Sequence, residues 1–148
     1  AAHCPCAGGL NPPLPCKKTR KNKSFFRVLG NFVWLRCDSQ PPDNKFVAAH
    51  AELLALTAAS ETVGDWRLDG VTLYVTKEPC AMCAGALVNT RVDRVVYGMA
   101  DPRSGCAGSA LDITGFPGML HQVRVTGGVL EEECRSVIRA FFARVRKR

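Results

Sequence analysis

The stretch Val71–Gly98, VTLYVTKEPCAMCAGALVNTRVDRVVYG, decides the fold. Val71-Thr72-Leu73-Tyr74-Val75-Thr76 is rich in β-branched and aromatic residues and predicts a strand. Lys77-Glu78-Pro79 turns the chain, and Cys80 to Asn89 reads as a helix with Pro79 at its entry, a position where the missing N–H costs nothing. Arg94-Val95-Val96-Tyr97-Gly98 is a second strand. Strand, helix and strand on short links make a βαβ unit, hence a parallel pair with a right-handed crossover. Cys80 and Cys83 are three residues apart at the start of that helix, so both sulfurs share one face. The positive end of the helix dipole favours their thiolate forms. They also stand beyond the carboxyl end of a strand, where open α/β sheets hold ligands.

Upstream, His50-Ala51-Glu52 completes a chemistry. His50, Cys80 and Cys83 form a three-ligand set for one zinc ion per chain and leave a fourth tetrahedral position open, as catalytic sites do. Glu52 is the natural general acid/base for a water activated there. H-x-E followed by P-C-x-x-C is the pattern of zinc-dependent nucleobase deaminases. One geometric condition applies. Residues two apart on a regular helix face different ways, so His50 and Glu52 serve one centre only if His50 sits at the helix cap or in its first turn. A purely structural zinc would need a fourth ligand, for which His121 and Cys106 are candidates, and it gives Glu52 no role. A dithiol redox reading of Cys80 and Cys83 gives none to the whole His50-Ala51-Glu52 run.

Around this motif the chain is ordinary for a globular protein. Its 148 residues suffice for one domain, 47% are hydrophobic and 22% charged. No run approaches the roughly 18 apolar residues of a membrane span, and no signal-peptide pattern opens the chain. Eight irregularly spaced Cys beside a His suit metal-bound thiolates in a reducing, cytoplasmic setting better than a secreted disulfide scaffold. The net charge of +7 is concentrated in residues 1–37, which hold seven Lys or Arg and no Asp or Glu. A solvated basic tail accounts for that segment as well as an RNA-binding arm does. Its lack of acid also fits a transit peptide, which leaves an organellar address open.

Residues 1–45 form an atypical basic segment, expected to be poorly ordered or foreign to the fold, and residues 46–148 form the domain. The first part is rich in Pro, Gly and Cys without periodicity. His3, Cys4, Cys6 and Cys16 match no common structural zinc spacing. Phe32-Val33-Trp34-Leu35 is one candidate strand within Phe25–Leu35. From Phe46 to Ser60 an Ala- and Leu-rich run, apolar nearly all round, predicts a buried helix, followed by a polar connection from Thr62 to Gly70. Asp101 to Ser109 reads as a polar, Gly-containing loop, and Val123–Thr126 as a short strand. In the last helix Leu130, Cys134, Val137, Ile138, Phe141 and Val145 make an amphipathic face, with Glu131 to Glu133 and the terminal basic residues placed to suit the dipole.

From about Ala49 to Arg146 the sequence resembles the bacterial tRNA-specific adenosine deaminases of the cytidine deaminase superfamily. The matching text is H-A-E-L-L-A-L, L-Y-V-T-K-E-P-C-A-M-C-A-G-A-L-V, R-V-V-Y-G, G-C-A-G-S-A-L-D and P-G-M-L-H-Q-V, with F-F-A-R-V-R-K-R at the end. A-G-S-x-x-D followed by F-P-G-M favours this family over its free-nucleotide relatives. The resemblance implies a three-layer α/β/α fold on a mixed sheet, a homodimer, and conversion of adenosine to inosine at the wobble position of tRNA. It implies zinc on His50, Cys80 and Cys83, proton transfer by Glu52, and a flipped base read by the Ala51 backbone. It places Asp101, Arg103 and Ser104 near the nucleotides around the target, and Phe142 and Arg144 against the anticodon loop. The family's amphipathic N-terminal helix, its P-V-G-A-like run and the Asn before its His motif have no counterpart here. The N-terminal helix and first strands are therefore expected to be atypical or missing. The rival functions are a free-base or nucleotide deaminase of guanine or cytosine type, and an inactive zinc-stabilised RNA-binding module.

Overall fold

A computed structural model describes residues 25–29, 32–36 and 50–146. It contains five strands in the order β1-β2-β3-β4-β5: Phe25–Leu29, Phe32–Arg36, Thr72–Lys77, Arg94–Met99 and Arg124–Thr126. β1 and β2 form an antiparallel hairpin, and β2, β3, β4 and β5 run parallel, so the sheet is mixed. Where the sequence offers one strand within Phe25–Leu35, the structure has two, and β2 extends the sheet beside β3. The expected boundary at residues 45 and 46, and the expected deviation of an N-terminal helix, fall outside the described residues.

Among the described residues, three helices flank the sheet: α1, Ala51–Val63; α2, Ala81–Asn89; and α3, Glu131–Val145. The pleat decides which side each covers, because alternate residues of a strand face opposite ways. Leu73 pairs with Val95 and Val75 with Tyr97. These four join Ala55, Leu56 and Ala59 of α1 and Leu87 and Val88 of α2 in one buried core. The interleaved positions face α3: a Cβ on Gly98 would lie 2.3 Å from the Cys134 sulfur. Helices on both faces give the expected three layers.

One helix end and one loop differ from expectation by more than a residue. α1 runs on to Val63 because its stop signal is Gly64, which takes φ 78° and caps the helix by donating its N–H to the Ser60 carbonyl at 2.8 Å. Residues 46–49, expected to open that helix, lie outside the described ones. The 101–109 segment, read as a loose loop, is closely tied down, with Gly105 N–H on the Asp101 carbonyl and Cys106 N–H on that of Pro79, both at 2.8 Å. Among the described residues, no helix is long and apolar enough to cross a membrane.

Candidate metal centre

Both halves of the motif sit at helix caps. His50 is the N-cap of α1 (φ −69°, ψ 146°) and Cys80 the N-cap of α2 (φ −75°, ψ 175°), each extended and neither using its side chain to cap. The extended cap residue turns its side chain away from the helix while its carbonyl accepts the first helical bonds, from Leu54 N–H to His50 and from Ala84 N–H to Cys80. The geometric condition is thereby met: His50 stands at the cap and Glu52 in the first turn. Both helix N-termini converge on one place, and their dipoles favour anions there.

The His50 Nδ1 lies 3.5 Å from the sulfur of Cys80 and 3.5 Å from that of Cys83. All three ligand atoms fall within 4.8 Å of one another. A tetrahedral zinc with ordinary Zn–N and Zn–S bonds would hold such a nitrogen and sulfur about 3.6 Å apart. The residues therefore fit the ion without rearrangement. Charge points the same way. Cys83 is fully buried, and burial, then the Glu52 carboxylate and Cys80, push its thiol far above the usual thiol range. Carboxylate and sulfurs crowded in a low-dielectric place form a site short of one cation.

No fourth protein ligand joins them among the described residues. His121 is engaged elsewhere, with Nε2 2.9 Å from the Val92 carbonyl just ahead of β4 and so at the other end of that strand. Cys106 is buried near Cys80, but its sulfur points to the Ser104 carbonyl, 3.5 Å away. Burial, followed by the charges of Cys80, Glu78 and Asp101, keeps it a thiol. The position beside Glu52 is left to solvent or a reactant.

Of the residues expected to meet a substrate, Ala51 is the half-buried first residue of α1, next to His50. Asp101, Arg103 and Ser104 share one turn after β4, where the Asp101 carboxylate accepts the Arg103 N–H at 3.1 Å and the Ser104 hydroxyl. Phe142 and Arg144 lie on the last turns of α3. Phe142 is 50% exposed and makes an edge-to-face contact with Phe141 at 5.2 Å. No contact joins these two to the metal ligands.

The motif reading passes over Lys77 and Glu78 as a turn. Glu78 is 3% exposed and accepts three backbone N–H groups, from Asp101 at 2.9 Å and from Ala107 and Ser109 at 3.0 Å. Burial raises its pKa, but the Ser109 hydroxyl and these N–H groups outweigh burial, so the carboxyl falls below its ordinary value. Lys77 reaches the Asp101 carboxylate at 2.7 Å. The available signal was position: a Lys-Glu pair wedged between a strand and the metal-binding turn.

Residues 20–146 match the model of the MafB19-like deaminase family. The chain is 50% identical over 100 residues to the tRNA-specific adenosine deaminase of Bacillus subtilis, covering 68% of this chain and 62% of that protein. It is 37% identical over 115 residues to the enzyme of the same name from Agrobacterium fabrum, covering 78% of this chain and 76% of that one. A solved structure from a study of A-to-I editing by tRNA:A34 deaminases at the wobble position of transfer RNA superposes with a TM-score of 0.59 at 40% identity, over 62% of this chain and 66% of that one. The chain thus spans about three fifths of the length of its Bacillus relative. With the ligand set, its cap geometry and the three layers in agreement, the chain belongs to the MafB19-like deaminases and, among them, to the family of the tRNA-specific adenosine deaminases.

Proposed function

We propose that this chain, as a cytoplasmic homodimer holding one zinc ion per protomer, hydrolyses adenosine to inosine at the wobble position of a tRNA anticodon. The observation that carries the reading is the meeting of His50, Cys80 and Cys83 within 4.8 Å, with Glu52 two residues beyond His50 in the first turn of α1. Zinc bound by the imidazole and two thiolates supplies Lewis-acid activation of water at neutral pH. Glu52 accepts the proton of the attacking water as its oxygen adds to C6 of the adenine. It returns that proton to the ring nitrogen beside C6, then takes the second proton from the new C6 hydroxyl and delivers it to the exocyclic amine, which leaves as ammonia as the C6–N bond breaks and the C6 carbonyl forms. The Ala51 backbone, fixed at the helix start, contacts the base. Arg103 and Ser104 flank the entry, and Phe142 and Arg144 meet the anticodon loop. An unpaired loop nucleotide leaves its stack at little cost, which makes such a loop a suitable substrate.

The test is to incubate the zinc-loaded protein with an anticodon stem-loop carrying adenosine at the wobble position, and separately with free adenosine, guanine and cytosine. Inosine on the stem-loop alone is expected. Deamination of a free base alone would make it a nucleobase deaminase. Stem-loop binding without any inosine would make it an inactive RNA-binding module.

A further inference from the structure

Lys77 and Glu78 are consecutive, oppositely charged and at the end of β3, and both grip the segment that follows β4. A carboxylate with 3% exposure costs several kcal/mol to bury unless its oxygens are satisfied. Here one oxygen takes the N–H groups of Ala107 and Ser109 and the other takes that of Asp101. The loop lies directly on this carboxylate, since a Cβ on Gly105 would come within 2.3 Å of its Oε2. From the neighbouring position the Lys77 ammonium holds the Asp101 side chain, which in turn orders Arg103 and Ser104. The same loop is tied to the metal-binding turn by Cys106 N–H on the Pro79 carbonyl at 2.8 Å, one residue before Cys80.

We propose that Lys77 and Glu78 are positioning residues, a two-point clamp that sets the 101–109 loop at a fixed height beside Cys80 and so sets how tightly the nucleotides around the reacting base are held. Lys77 and Glu78 themselves touch no substrate. They act through the loop. The proposal rests on the reading of Arg103 and Ser104 as nucleotide contacts, and its test has one arm that does not depend on that reading.

The first arm is backbone amide exchange of the zinc-loaded full chain, read in peptides covering 101–109. Glu78→Gln keeps one carbonyl acceptor and loses the charge, so exchange there rises about tenfold or more, as expected for a lost charge-assisted bond. Lys77→Met removes a partly exposed partner and raises it about two- to fivefold, whereas Lys77→Arg retains wild-type exchange. The second arm is kinetics on the anticodon stem-loop. KM rises by those factors and by more than kcat falls, with bound zinc unchanged. Should Glu78→Gln not fold, Lys77→Met and its Arg rescue carry the same comparison. Unchanged exchange in 101–109 in the Lys77→Met protein overturns the clamp, as does a fall in kcat with KM unmoved. If the wild-type chain makes no inosine, the functional reading fails and the exchange arm still decides the clamp.

Discussion

Glu52 stands in the first turn of α1 with its carboxylate close enough to raise the Cys83 thiol. Removing it should separate metal holding from proton transfer, because the ligand set is His50, Cys80 and Cys83 alone. Glu52→Ala is expected to keep one zinc per chain by atomic absorption and to lose about 10²- to 10⁴-fold in deamination rate, the usual worth of a positioned acid/base. Substantial activity in that variant refutes the role. Asp101 carries a different prediction. The Lys77 ammonium and then the Ser104 hydroxyl hold its carboxyl well below the usual range; burial works against them and the Arg103 N–H adds to the lowering. A carboxyl lowered in the folded state contributes stability above its unfolded pKa, about 3.9, and loses it as pH falls through the folded value. Wild-type and Asp101→Asn proteins should therefore differ most in melting temperature near neutrality and converge in strong acid. A constant gap from pH 7 to pH 2 would show that the ion pair is not its source. The grouping of His50, Cys80 and Cys83 near Glu52 was legible in the sequence because metal chemistry demands particular residue types at short spacings. Lys77 and Glu78 were not, since residue type does not distinguish a carboxylate in solvent from one under a loop 23 to 31 positions away.

At the next level up, α3 depends on close contact with β4. Gly98 faces the helix without a side chain, and a Cβ there would meet the Cys134 sulfur at 2.3 Å, its Cβ at 2.7 Å and the Thr76 carbonyl at 3.0 Å. Backbone on one side and a helix on the other leave little room to yield. Gly98→Ala should cost about 1–3 kcal/mol, the range of core overpacking. It should leave zinc content intact, because α1 and α2 pack on the opposite face of the sheet. Calorimetry with metal analysis checks both statements, and a melting temperature equal to wild type would show that α3 shifts freely. The central elements were readable because their composition is distinctive: β3 and β4 follow from β-branched and aromatic runs, and α2 from a Pro at a helix entry. β5 is three residues long, and the exposed side of α1 mixes Leu54 with Thr57, Glu61 and Thr62, which announces no clear end. There the boundary came from Gly64, whose positive φ is a backbone property. The β1–β2 hairpin was half legible, because FFRVL and FVWLR show no clean alternation from which a face or a partner strand can be read.

Across the molecule, an ion on His50, Cys80 and Cys83 would join the N-terminal turns of α1 and α2. α1 and α2 pack against each other and the sheet through Ala55, Leu56, Ala59, Leu87 and Val88, but their N-terminal turns meet at His50, Cys80, Cys83 and Glu52, a cluster of sulfurs and a carboxylate. Without a cation the buried Cys83 stays a thiol and adds no bond between those turns. An ion there would add three ligand bonds spanning residues 50 to 83. An ion that binds the folded chain and not the unfolded one stabilises it by RT ln(1 + [L]/Kd), about 2.7 kcal/mol at a hundredfold excess over Kd. The expectation is a melting temperature that falls on chelation by about 5–11 °C, at the roughly 2–4 °C per kcal/mol of a domain of about 150 residues, and that returns with added zinc. His50→Ala should abolish the response to zinc while retaining the three-layer fold, since His50 lies outside the apolar core. If chelator and zinc leave the wild-type transition in the same place, the three side chains hold no structural ion. The placement of Glu52 beside them then loses its catalytic meaning, and the acid/base reading goes with it.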